Sequence, residues 1–109
     1  MSQIYLADAH THLNMPEFAG EQPEIINRAW EKGVRLLINI GINLANSREV
    51  LATARQYPWI YATVGIHPHG AALLGARELA ALADLLQEDK VVAVGEIGLD
   101  FYRRRAPEE

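Results

Sequence analysis

The chain has 109 residues, half of them hydrophobic and 22% charged, with a formal charge of −4. That size and balance suit a single α/β-sized domain over residues 1–109 and exclude an intrinsically disordered chain. There is no cysteine, which excludes disulfide scaffolds and thiolate metal sites, and the acidic balance argues against an architectural DNA binder that depends on overall positive charge.

The first β-rich run covers residues 4–7 and leads directly into Asp8-Ala9-His10-Thr11-His12. A helical pattern follows over about 23–32. Pro23 suits its first turn, Ile25 with Ala29 and Ile26 with Trp30 form i,i+4 pairs, and Gly33 is placed to end it. Residues 35–40 read as the second strand. The second helix spans about 44–57, with Val50, Leu51 and Ala54 as its apolar stripe and Pro58 as its stop. The third strand, residues 60–66, runs into Gly65-Ile66-His67-Pro68-His69. The third helix covers about 76–88, where Leu79, Leu82, Ala83 and Leu86 recur at helical spacing. Residues 91–94 form the fourth strand, followed by Gly95-Glu96, and Pro107 is placed to open a fourth helix.

Three of the four strands are nearly continuous in apolar residues, which predicts strands buried on both faces. The β-α-β-α-β-α-β order predicts right-handed crossovers and a parallel sheet. No apolar run approaches the roughly 18 residues of a membrane span, and Met1-Ser2-Gln3-Ile4 lacks the basic start of a signal peptide. The expectation is no membrane partner and a cytoplasmic location.

In parallel α/β sheets, functional groups gather at the carboxyl ends of the strands. All four histidines fall in such segments. In an extended segment, side chains two apart point to the same side, so His10 and His12 can share one divalent ion at about 2.0–2.1 Å. Without a metal, the same pair reads as a turn with two exposed histidines. Glu96 ends a strand expected to be buried, where a bare carboxylate needs a cation or donors. A bridging role between metals satisfies it, and so does a salt bridge to an arginine. His67 precedes Pro68, which favours extended geometry; it can bind a phosphate oxygen, donate a proton, or serve as a hydrogen-bonded loop histidine. His69 reads as a loop residue. Asp8 suits either a hydrogen bond to a ligand histidine or a loop cap. Asp100 suits either an orienting role or a turn. The run from Arg103 to Arg105 suits phosphate contact or a solvated tail.

Three segments carry a resemblance: Asp8-Ala9-His10-Thr11-His12-Leu13, then Gly65-Ile66-His67-Pro68-His69, then Val92-Ala93-Val94-Gly95-Glu96-Ile97-Gly98-Leu99-Asp100-Phe101-Tyr102-Arg103. In order and spacing they resemble the TatD family of metal-dependent hydrolases, which are (β/α)8 TIM barrels of the amidohydrolase-like type. The resemblance implies two divalent metal ions (Zn, Mg or Mn), with His10 and His12 on one and Glu96 bridging both, and His67 in the substrate pocket. It implies hydrolysis of phosphodiester bonds, with DNA or another phosphoester as substrate.

The departure is length. Such a barrel typically needs about 250 residues, and the family's later ligands, two histidines and an aspartate, fall beyond Glu109. The chain therefore reads as the N-terminal half of the barrel, with about four strands and three helices, and is expected to be inactive or nearly so alone. An oligomer or the missing C-terminal half is expected to cover its exposed sheet. The alternatives are a non-catalytic half-barrel fragment and an amidohydrolase acting on C–N bonds.

Overall fold

A computed structural model describes residues 4–102. The expected fourth helix and the arginine run before it lie outside the described residues. In chain order the elements are β1 (Leu6–Thr11), α1 (Gln22–Glu31), β2 (Val34–Ile40), α2 (Leu44–Gln56), β3 (Ile60–Val64), α3 (Ala76–Leu85) and β4 (Val91–Val94). Short 3₁₀ turns cover Pro16–Phe18 and Pro68–Leu73. The strands form one sheet in the order β1-β2-β3-β4, and each neighbouring pair is parallel.

Local sequence accounts for the helix limits. Pro23 lies in the first turn of α1, and the chain leaves that helix through Gly33 at φ +100°, a conformation that costs glycine nothing. The Asn43 side chain caps α2 by accepting the Asn46 N–H at 2.7 Å. The buried residues of α2, Ser47, Val50, Leu51 and Ala54, follow one helical face. The Glu78 carboxylate accepts the Gly75 N–H at 3.1 Å and so secures the start of α3.

The core sits where α1 and α2 cover β2 and β3. Ile26, Leu37, Val50 and Ile60 are buried there, and Trp59 packs against them. Below this core, the Lys90 ammonium donates to the carbonyls of Tyr57 and Pro58, tying the turn before β4 to the turn before β3. Burial there lowers its pKa from the ordinary lysine value.

Two expectations change. Burial on both faces fits the centre of the sheet but not β1 and β4, where Leu6, Val92 and Val94 are about half exposed. These are the edge strands, each with a single strand neighbour. The first strand also starts and ends later than its apolar run. Pairing with β2 continues through Asp8↔Leu37 and Thr11↔Asn39, so Asp8, His10 and Thr11 lie within β1 and not after it. Among the described residues, no helix is long and apolar enough to cross a membrane.

Candidate metal centre

The pleat at the end of β1 turns His10 and His12 to one side, with their Nε2 atoms 3.1 Å apart. Glu96, two residues beyond β4, meets them. Its Oε2 lies 3.6 Å from His10 Nε2 and 3.4 Å from His12 Nε2. Its other oxygen, Oε1, faces His67 Nε2 at 3.4 Å. Among the described residues, His10, His12 and Glu96 form the group that could hold a metal, with donor atoms within 4.8 Å of one another. Among the described residues no arginine pairs with Glu96; its ion-pair neighbours are the three imidazoles.

The backbone around Glu96 is pinned from β3 and from the end of β2. Gly95 N–H donates to Val64 O at 2.9 Å, and Glu96 N–H donates to Gly41 O at 2.6 Å. Thr63 Oγ1 donates to Gly95 O at 3.0 Å. Gly65 permits this approach, because a Cβ there would stand 2.6 Å from Gly95 C and 2.8 Å from Glu96 O. Any side chain at residue 65 would push the Glu96 segment away from the histidines.

The donor set fits a divalent ion. A tetrahedral ion with bonds of about 2.0–2.1 Å holds its ligand atoms about 3.3–3.4 Å apart. The three spacings at this site, 3.1, 3.4 and 3.6 Å, bracket that value. Two imidazoles and one carboxylate also match the borderline ligands that zinc and its neighbours take. His12 Nδ1 is buried and has no hydrogen-bond partner among the described residues, so the polar contacts of that ring are made through Nε2.

Other residues singled out from the sequence fall around this cluster. Asp8 accepts its hydrogen bond from the main-chain N–H of His10 at 3.1 Å, which is the local cap and not a contact with a ring. His69 is more than a loop residue: its Nε2 lies 2.7 Å from Asp100 Oδ2. His67 Nδ1 accepts the His69 main-chain N–H at 3.1 Å. Beside them opens a cleft of about 840 Å³, with Met15, Ile42 and Leu44 on its apolar wall and His12, His67 and Glu96 on its polar side.

Asn39 was not apparent as a site residue from sequence. It has no exposed surface. Its Oδ1 accepts the Leu13 N–H at 2.9 Å, and its Nδ2 donates to Asn14 Oδ1 at 2.7 Å. Asn39 thereby fixes the segment that leaves His12. An amide inside the apolar run Leu36-Leu37-Ile38-Asn39-Ile40 was the available signal, since a buried polar group requires partners.

The chain is similar to known proteins. A family model described as TatD related DNase matches residues 7–109. The chain is 38% identical over 103 residues to the 3′-5′ ssDNA/RNA exonuclease TatD of Escherichia fergusonii, a match covering 94% of this chain and 40% of that protein. It is 32% identical over 104 residues to YabD of Bacillus subtilis, described as an uncharacterized metal-dependent hydrolase, covering 95% of this chain and 41% of that one. The crystal structure of YJJV, a TatD homologue from Escherichia coli K12, matches with a TM-score of 0.79 at 37% identity, covering 88% of this chain and 38% of that chain. The chain thus spans about 40% of the length of the curated relatives it matches, and its parallel sheet corresponds to the N-terminal part of a TIM-barrel fold.

Proposed function

Since the chain belongs to the TatD-related DNase family, we propose that it carries the first part of a metal-dependent phosphodiesterase site acting on single-stranded DNA or RNA. The observation that carries this reading is the convergence of His10, His12 and Glu96. His10 and His12 would hold one divalent ion through Nε2, together with Glu96 Oε2. Glu96 offers Oε1 on the opposite side, toward His67, which suits it to bridge a second ion of the same kind (Zn, Mg or Mn). Such ions lower the pKa of a bound water and neutralise charge on phosphate oxygens. His67 would donate from Nε2 to a phosphate oxygen in the cleft. Met15, Ile42 and Leu44 would keep the far wall of the cleft dry.

Three protein ligands fall short of the four that zinc usually takes. The 109 residues alone are therefore expected to bind a divalent ion and cleave little, with the remaining ligands coming from the later βα units of such a barrel. The same count favours a second reading, a non-catalytic metal-binding half barrel.

Isothermal titration with Zn²⁺ tests the shared premise. Binding should be measurable and should be lost in His10→Ala/His12→Ala. Equal affinity in the double variant would sink the metal assignment. Mn²⁺- or Mg²⁺-dependent cleavage of single-stranded DNA after adding the C-terminal part of a TatD-type barrel would separate the two readings, because a non-catalytic module would stay inactive.

A further inference from the structure

The pair formed by His69 and Asp100 lies next to the metal cluster but contributes no donor to it. Asp100 Oδ2 is 2.7 Å from His69 Nε2, with both side chains about one-fifth exposed. The other carboxylate oxygen accepts the Tyr102 N–H at 3.0 Å. This carboxylate therefore ties the loop after β3 to the loop after β4. The His69 ring also stands edge-on to His67, with centroids 4.3 Å apart, and its main-chain N–H donates to His67 Nδ1. The His67 backbone is held on both sides, by its N–H to Ile42 O at 2.7 Å and by its carbonyl accepting the Gly70 N–H at 2.8 Å.

An imidazole nitrogen that accepts a hydrogen bond carries no proton. His67 Nδ1 accepts, so the proton of the neutral ring sits on Nε2, the atom that faces Glu96 and the cleft. We propose that His69 and Asp100 are positioning residues that hold His67 as its Nε2–H tautomer, so that it presents a donor to the cleft. Asp100 fixes the His69 ring, the ring fixes the His69 main chain, and that N–H fixes the His67 proton. The arrangement has two chemical consequences. A phosphate oxygen entering the cleft meets an N–H and not a lone pair. His67 also has no free lone pair on Nε2, which keeps it from binding a metal even though it lies 3.4 Å from a ligand carboxylate. The purpose of this device rests on the proposed hydrolase reading, whereas the tautomer itself does not.

Long-range ¹H–¹⁵N NMR of the full chain, labelled with ¹⁵N-histidine, reads the tautomer directly. His67 should show an unprotonated Nδ1 and a protonated Nε2. Asp100→Ala should move His67 to the averaged pattern of a ring exchanging between tautomers, with the His10 and His12 signals unchanged. Asp100→Asn keeps an oxygen that can accept the His69 Nε2–H, so it should retain the wild-type His67 pattern. A proton on Nδ1 of His67 in the wild type would overturn the proposal. So would an unaltered His67 pattern in Asp100→Ala, or an equal loss in both variants. If Asp100→Ala does not fold, the wild-type spectrum and Asp100→Asn decide. Failure of zinc to bind would overturn the hydrolase reading while leaving the tautomer result standing.

Discussion

Replacing Asn39 by alanine tests how the core supports the metal cluster. Leu13 is itself buried at 4% exposure, and its N–H has Asn39 Oδ1 as its acceptor. Truncation leaves that donor unsatisfied, at a cost of about 1–3 kcal/mol. Loss of the bond from Nδ2 to Asn14 adds about 0.5–1.5 kcal/mol. Asn14 Oδ1 retains the Thr53 hydroxyl at 3.3 Å, so the second loss should fall at the lower end. The expected destabilisation is about 1.5–3.5 kcal/mol, a large share of the roughly 5–15 kcal/mol available to a whole domain. Leu13 directly follows His12, so zinc affinity should fall as well, by about 10- to 100-fold, the range seen when groups supporting metal ligands are removed. Urea unfolding can be followed by tryptophan fluorescence, because Trp59 packs against the core and lies 5.2 Å from Trp30, centroid to centroid. The midpoint should drop at constant slope, and zinc titration supplies the second reading. A stability loss below about 0.5 kcal/mol, the size of an ordinary surface change, would refute the reasoning. So would unchanged zinc affinity in a clearly destabilised variant.

Gly65→Ala places a methyl against the backbone of Gly95 and Glu96; it should cost about 1–3 kcal/mol as overpacking, and thermal melts with zinc titrations should show stability and affinity falling together. The half-exposed apolar residues of β1 and β4 should drive association, so sedimentation velocity should detect species larger than the monomer, and a monodisperse monomer would show that these edges are protected.

The sequence made the parallel β/α order and the limits of the first two helices legible because each rests on local chemistry: Pro23, Gly33 and Pro58 sit at or next to helix limits, whereas α3 ends at Leu85, before the expected residue 88. The strand limits were less visible. The polar residues Asp8, His10 and Thr11 hide the second half of β1, since its ladder is set by pairing with β2 and not by its own apolar pattern. The exposure of β4 was hidden for the converse reason: Val91 to Val94 reads as a core strand, yet its place at the sheet edge leaves Val92 and Val94 half exposed. The spacing of His10 and His12 predicted that they would face one side, as they do. The pairing of His69 with Asp100 spans 31 residues, and nothing in either local sequence specified it. Asn39 carried a readable signal as an amide within an apolar run, but that signal names a need for partners and not the partners themselves.

The meeting of His10 and His12 with Glu96 requires the segment after β4 to reach back across the sheet. The histidines belong to one edge strand and the glutamate follows the other, with β2 and β3 between them. Strand spacings of about 4.8 Å would put β1 and β4 about 14 Å apart in a flat sheet. An imidazole and a carboxylate pointing straight up from such a sheet would not touch. Here their donor atoms approach to 3.4–3.6 Å, because Glu96 lies beyond β4 in a segment that crosses the end of β3 to bond Gly41 O. Three contacts hold that segment: the close approach of Gly65 to Gly95, the Thr63 hydroxyl on Gly95 O, and the reach of Glu96 N–H across β3 to Gly41 O. Each draws the end of β4 inward over its neighbours. The backbone contacts at the carboxyl ends of β2 and β3 thus assemble the donor set from the two edges of the sheet.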